Sequence, residues 1–396
     1  MANSILTPTA VTREALRVLH QKLRFIGSIN RQYDDSFAKS GAKIGDSLKI
    51  RLPNQYTVRD GATLSAQDTS ETSTTLQIAT QKGVDVNFTS EELTLSLDRF
   101  SERILQPAMA VLAAAMEADA LNMRKDVYQQ VNNIGAAATF AKVLAGRKKL
   151  VDSLVPEDSN LTALLNTQDN IDLVDALKGL FNDQRELGKQ YREGVMGTTA
   201  GFDFMESTHL STHARSTAVA TGYQVNDAAV ASGATTLAVD TGTGAFVVGD
   251  VFTIAGVNSV HPETKVSTGL AQQFVVTAAS AGGGVTLSIS PAIVSTGARQ
   301  NVSALPADNA AITVVGTVST PYGQSLMYHR DAFTFATADL VLPDGVDFAR
   351  RETFDGISMR IVRQYDINND KFPTRIDVLY GYKTLRAQWA TRLANN

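Results

Sequence analysis

The sequence predicts an α+β fold that carries a small all-β unit within it. Three observations predict this. A helix-periodic stretch runs from Thr89 to Val131. Alternating, strand-like runs stand on both sides of it. Between Ser216 and Thr320 charge drops away: these 105 residues hold seven charged side chains (Asp227, Asp240, Asp250, Glu263, Asp308, Lys265 and Arg299) and 12 of the 28 glycines. Helix and strand character resumes after Thr320, so the β unit reads as inserted into a larger domain, not appended to it.

Residues 1–40 hold one helical pattern, with Thr9 or Thr12 as cap and Ala15, Val18, Leu19, Leu23 and Ile26 as apolar face. Residues 44–88 change period. Leu48, Ile50 and Leu52 fall on one face of a strand, and a second strand pattern covers Thr75–Phe88. The polar stretch Asn54–Thr75 between them makes an extended β-hairpin with an unusually long connection. It has too little apolar material for a core of its own, so it is expected to project and to order against something else.

Residues 89–131 open on a capping box, Thr89 with Glu92. Leu93, Leu97, Phe100, Ile104, Val111 and Ala115 form the expected face, widened by Leu105, Met109, Leu112 and Met116. Pro107 predicts a kink or a break, and Asp98–Val131 would span about 50 Å as helix. Within 132–215, Asp169 is the expected cap of a helix through Leu173, Val174, Leu177, Leu180 and Phe181, and Phe202–Ser207 reads as a short strand. Within 216–320, Thr235–Val239, Val251–Val257, Gln273–Ala278, Val285–Ser290 and Ala311–Val318 read as strands of a barrel or sandwich, with Asp250 and Gly256 as turn residues. In 321–396, Gly356–Tyr365 and Thr374–Lys383 form two antiparallel strands joined by a turn, before an amphipathic tail with the single tryptophan, Trp389.

The composition sets few functional limits. The net charge is −4, so nothing marks a dedicated binder of nucleic acid or anionic membranes. The absence of cysteine excludes disulfides, thiolate metal sites and cysteine catalysis. The N-terminus shows no secretory signal pattern, and no apolar run is long enough for a membrane span. His209 and His213 stand four apart, but a loop with no following H-E-x-x-H pattern favours surface or partner contact over a metal. Gly282–Gly284 lacks the Lys-Ser/Thr of a phosphate loop and reads as a hairpin turn. Asp366, Asn368 and Asp370 alternate like calcium ligands, but Lys371 and Pro373 follow, and a turn is the better reading. The acidic pairs Asp34-Asp35 and Glu91-Glu92 read as solvated. No catalytic, cofactor-binding or metal residue is nominated, no cofactor is implied, and an enzyme is not expected. A rigid axis, a projecting hairpin and an inserted β unit, with no chemical site, point to assembly.

Four stretches carry a family resemblance: Phe88–Leu93 through Phe100–Ala113, Ala200–Ser207, Val248–Val257 with His261–Lys265 and Leu270–Val276, and Ile376–Leu385. In order and spacing they resemble the major capsid (coat) protein of tailed bacteriophages, in the short-tailed-phage branch that inserts a barrel-like domain into the Hong Kong 97-type capsid fold. The resemblance implies an N-terminal arm (1–43), an extended loop reaching over a neighbouring subunit (44–88) and the spine helix of a peripheral domain (89–131). It further implies an axial domain (132–215), the inserted domain (216–320) and closing axial and peripheral strands (321–396). It implies self-assembly, through pentamers and hexamers in the bacterial cytoplasm, into the icosahedral head that encloses double-stranded DNA. A scaffolding protein, a portal protein and possible decoration protein would be partners, with DNA touched non-specifically, and neither membrane nor small-molecule substrate involved. The alternative is a phage fibre or receptor- or carbohydrate-binding protein whose β unit is the binding module. That unit has one Tyr, three Phe and no Trp, which is thin for sugar stacking.

Overall fold

The computed structural model describes residues 8–33, 47–59, 61–64, 66–67, 71–89, 106–177, 197–354 and 356–395. The chain forms two compact units. One comprises Met1–Arg51, Ser73–Leu121 and Phe333–Leu385; the other comprises Leu52–Thr72, Asn122–Ala332 and Arg386–Asn396.

The first unit is a helix-backed sheet. Its strands run β1 (Asn30–Tyr33), β18 (Phe333–Ala338), β21 (Lys371–Thr384), β20 (Ile357–Arg363) and β19 (Phe348–Phe354), with β4 (Thr80–Thr89) pairing along β21. The two strands expected near the C-terminus are β20 and β21, in antiparallel register with Arg360 opposite Asp377. The N-terminal helix Pro8–Lys22 is the predicted one, and Ala15, Val18 and Leu19 are buried. Neither threonine caps it. Thr9 and Thr12 both lie inside the helix, and Thr12 is buried. The alternation of 47–52 also holds in β2 (Ser47–Leu52): Leu48 and Ile50 are half-buried and pack on Leu76, Ile78 and Leu379.

The expected strand Thr75–Phe88 is in fact two. β3 (Thr72–Gln77) pairs with β2, whereas β4 leaves the hairpin and runs antiparallel to β21 over ten residues. The long helix is also corrected. Thr89, its expected first residue, closes strand β4, and Glu92 and the face up to Leu105 lie outside the described residues, as does any kink before Pro107. The described helix is Gln106–Leu121, about 24 Å for its 16 residues. A 3-10 turn at Asn122–Asp126 and β5 (Gln130–Asn132) follow it. Val127, Tyr128 and Val131 favour extended backbone, and the inward-turned Arg124 donates to Ser211 Oγ at 2.7 Å. The buried face is Met109, Leu112, Ala113, Met116, Glu117 and Ala120, and Val111 points to solvent. An alanine-rich helix has several near-equivalent apolar faces, and packing selects one of them.

The second unit joins a mixed sheet to a barrel. The sheet order is β5, β22 (Ala390–Ala394), β17 (Gln324–His329), β6 (Leu161–Leu165), β8 (Phe202–Glu206) and β7 (Thr198–Thr199). The helices Phe140–Asp152 and Thr167–Leu177 add Val143, Leu150 and Leu173 to its core beside Phe202, Met327 and Leu393. The cap of the second helix is Asn166, whose Oδ1 accepts from Asp169 N–H at 2.7 Å. Asp169 itself is buried and accepts from the Ser325 hydroxyl. Leu180 and Phe181 lie outside the described residues. The tail expected after Trp389 is strand β22, between β5 and β17.

Six strands close the barrel: β10 (Thr221–Val225), β11 (Ala234–Asp240), β14 (Val285–Ile293), β13 (Ser267–Val276), β12 (Val251–Val260) and β15 (Ala311–Val314). Five match the predicted runs, and β10 was not expected. The core is its own, with Tyr223, Phe246, Phe252, Phe274, Leu287 and Ile312 inside. Phe252 and Phe274 are register partners and stack at 5.8 Å. Closure leaves no sheet edge, which is how a chain segment so poor in charge stays unpaired with other strands. In chain order the barrel falls between β8 and β17 of one sheet. Its two ends meet, because β9 (His213–Ala214) pairs with β16 (Pro321–Tyr322).

Candidate assembly surfaces

The long connection between β2 and β3 has no regular structure among its described residues. It is braced from within by side chains. Gln67 spans it, accepting from Thr57 N–H at 2.9 Å and donating to Thr57 O at 2.6 Å. Arg59 donates to Thr63 O at 2.9 Å and to Gly61 O. The backbone polar groups are thus partly satisfied locally, while the apolar side chains point outward: Tyr56 is 59 %, Leu64 83 % and Val58 93 % exposed. Singly exposed apolar residues are ordinary; here three fall on one braced loop. Smaller apolar tips occur at Val266 on the β12–β13 turn and at Ile367 on the β20–β21 turn.

His209 is exposed in a turn, and His213 is buried on β9, its Nε2 3.1 Å from Asp250 Oδ1. His213 is therefore an internal contact and not the surface one expected. No group of three or more His, Asp or Glu suited to a metal occurs among the described residues. Gly282–Gly284 is a turn before β14, and a Cβ at Gly282 would lie 2.7 Å from Gly244 O. Asp366 closes the β20–β21 turn by accepting from Asn368 N–H at 3.0 Å. No helix among the described residues is long and apolar enough to cross a membrane.

Asp250 and Gly256 depart from expectation. Asp250 is a buried hub and not a plain turn residue, bonded to His213 and accepting from Val247 N–H at 3.1 Å. Burial alone would push its carboxyl up, and its bonds from His213, Ser216 and Val247 outweigh that and hold it below the usual range. Gly256 sits inside β12, at φ +80°, where the register with β13 shifts between Thr253 and Asn258. It is a bulge position.

Four charged residues went unnoticed in the sequence. Glu117 lies on the buried face of helix Gln106–Leu121 and accepts from Phe25 N–H and Ile26 N–H, both at 3.1 Å. Burial pushes its carboxyl up to about 7. A lone carboxylate at a core-facing helical position was the available signal. Arg124, Arg215 and Arg392 are buried where the barrel meets its sheet. Arg392 donates to Gly249 O at 2.9 Å, and Arg215 donates to Ser216 O at 2.9 Å and to Ala218 O at 2.6 Å. On the same junction, Gln273 of β13 accepts from Gln130 N–H at 2.9 Å and from Lys149 Nζ at 3.0 Å. No sequence pattern marks these arginines: Arg124 and Arg392 bond to groups far away along the chain, and Arg215 turns inward onto carbonyls of its own neighbourhood.

Mixed α and β structure with a closed barrel makes this a phage capsid-like fold. It aligns with a solved structure from Mycobacterium phage Che8 at TM-score 0.50 and 14 % identity, covering 94 % of this chain and 90 % of that one. A looser likeness is to the mature capsid of bacteriophage PhiM1, with TM-score 0.44, 11 % identity and 94 % and 87 % coverage. The CUS-3 coat protein I-domain matches at 35 % identity and TM-score 0.20, over 24 % of this chain and 96 % of that one. No curated protein matches the sequence. The family profile of the P22 coat protein, gene protein 5, matches residues 27–391, and the chain belongs to that family. It is a bacteriophage major capsid protein, a subunit of the icosahedral head shell.

Proposed function

We propose that this capsid protein assembles through a Hong Kong 97-type arrangement, with the β2–β3 loop as the element that a neighbouring subunit covers. The exposed Tyr56, Val58 and Leu64 on a loop braced by Gln67 and Arg59 carry this reading. Residues 1–43 act as the N-terminal arm, 44–88 as the extended loop, and Gln106–Leu121 as the described part of the spine. The sheet of β5, β6, β7, β8, β17 and β22 serves as the axial domain, and 216–320 as an inserted domain. Support for the insertion is the antiparallel pair β9–β16, which brings entry and exit together below a closed barrel with its own core. The subunits form pentamers and hexamers in the bacterial cytoplasm, with a scaffolding protein and a portal protein as partners, decoration protein as a further one, and packaged DNA touched without sequence preference. The small net charge of −4 suits a container that does not grip its genome.

The test is the double substitution Val58→Asp, Leu64→Asp. Shells or capsomers are expected to vanish from sedimentation profiles, while the subunit's melting temperature stays within about 1 °C, since exposed sites away from packing change stability little. Normal shells from the variant would sink the proposal.

A further inference from the structure

The junction between the barrel and the six-stranded sheet holds more buried cationic donors than the protein itself satisfies. Arg392 on β22 is the register partner of Gln130 on β5 and of Leu326 on β17. Gln324 is two residues from Leu326, so Arg392, Gln130 and Gln324 project from one face of the sheet. All three are buried, Arg392 completely. Arg392 Nη1 is satisfied by Gly249 O, but Arg392 Nε and Nη2 have no partner, nor do Gln324 Nε2, Gln130 Nε2 and Gln130 Oε1. The buried phenol of Tyr322 lies near both amides, which stop short of hydrogen-bonding geometry with it. Arg124 reaches the same face, its Nε donating to Gln324 Oε1 at 3.2 Å. Arg215, also buried, leaves Nη2 unpartnered.

Negative charge only partly offsets this: Asp250 and Asp126 lie close enough to act on Arg392, and Asp250 on Arg215, two carboxylates against three guanidinium groups. Asp250 is committed to His213 and to the N–H groups of Ser216 and Val247. Among the described residues no carboxylate forms an ion pair with Arg124, Arg215 or Arg392. A buried guanidinium with free N–H groups is among the costliest states a folded chain can hold, and burial pushes Arg392 down to about 10. Water could fill the hydrogen bonds but not balance the charge. A small anion does both, because every vacant group but one amide oxygen is a donor.

We propose that Arg392, Arg124, Gln130 and Gln324 hold a small inorganic anion that fastens the barrel to its sheet. The bond from Arg392 to Gly249 O places one end of the site on the barrel, so occupancy stabilises the docking of the two parts.

The experiment is thermal unfolding of the full-length subunit at fixed ionic strength. Sodium gluconate, too large for a buried site, is replaced stepwise by chloride in one arm and by inorganic phosphate in the other. A rise of about 3 °C is expected at an anion concentration ten times its dissociation constant. A rise with chloride alone assigns a monatomic site, and a rise with phosphate assigns an oxyanion site. Identical melting in all three salts overturns the proposal and leaves water as the occupant. Gln324→Leu removes one donor and, with it, the acceptor of Arg124 Nε, so it lowers the melting temperature in gluconate as well, and it is expected to flatten the anion dependence. An undiminished dependence in Gln324→Leu would mean a general salt effect, and overturns the proposal too. Arg392→Met should abolish the dependence, and a failure of that variant to fold leaves the other two measurements decisive.

Discussion

At the scale of single residues, Glu117 makes stability depend on pH. Its carboxyl ordinarily titrates at 4.5 and is pushed up to about 7 in the fold, mainly by burial. The folded chain therefore keeps the proton to higher pH than the unfolded one. The stability this contributes is fully present below about pH 4.5 and is lost as pH rises to about 7. Each pH unit in that window is worth up to about 1.4 kcal/mol. Melting temperature should fall across the window, and Glu117→Gln should fall less steeply; equal slopes would refute the assignment. Gly256 gives a second prediction. Its φ of +80° is left-handed and nothing lies within 4 Å of where a Cβ would stand. Gly256→Val is thus strained by backbone and not by crowding, and should cost roughly 1–2 kcal/mol, read as a lower denaturation midpoint.

At the scale of elements, β21 is the seam of the first unit, with β4, β18 and β20 all paired to it. A Cβ at Gly381 would lie 2.2 Å from Gln77 O, so the backbone between β3 and β4 crosses β21 where it has no side chain. Gly381→Ala should destabilise by about 1–3 kcal/mol, because backbone must move to admit it. An unchanged melting temperature would show that the crossing is looser than described. The strand-like period of 47–52 was legible because β2 turns only one face inward, whereas β21 alternates up to Arg375 and is buried on both faces from Ile376 to Gly381. The division of Thr75–Phe88 was not legible. Both halves are β-prone, and only the pairing of β4 with β21 separates them. β22 is not legible as a strand for another reason: it is covered on both faces, and a strand buried on both sides loses the alternation that identifies strands.

At the scale of the whole molecule, the barrel and the remainder of the second unit differ in self-sufficiency. The barrel has a closed ladder and its own core, and its two ends meet at β9 and β16. Residues 216–320 alone should fold cooperatively, giving β-type circular dichroism and a single thermal transition. The remainder, rejoined across the β9–β16 pair, should melt lower than the full chain, because Arg392 and His213 lose Gly249 and Asp250. A fragment without a transition, or a remainder as stable as the parent, would contradict this. The β unit is legible in the sequence since its signals are local: short β-prone runs between glycine turns, and missing charge. Its attachment is not, since that rests on Arg392, Gln130 and Gln273, which meet across more than a hundred residues of chain.

Local pattern was enough for a charge-poor all-β unit, barrel or sandwich, within an α+β chain, for helices and strands broadly where period and turns place them, and for a long polar connection, which ends at Thr72 where β3 begins. These properties are set by neighbours within about ten residues. The tertiary structure alone decided where helix Gln106–Leu121 ends, which of its faces is buried, why Glu117 is inside, and that three arginines crowd one junction. Each depends on the free energy of burying a group against partners distant in sequence, and no local pattern records that.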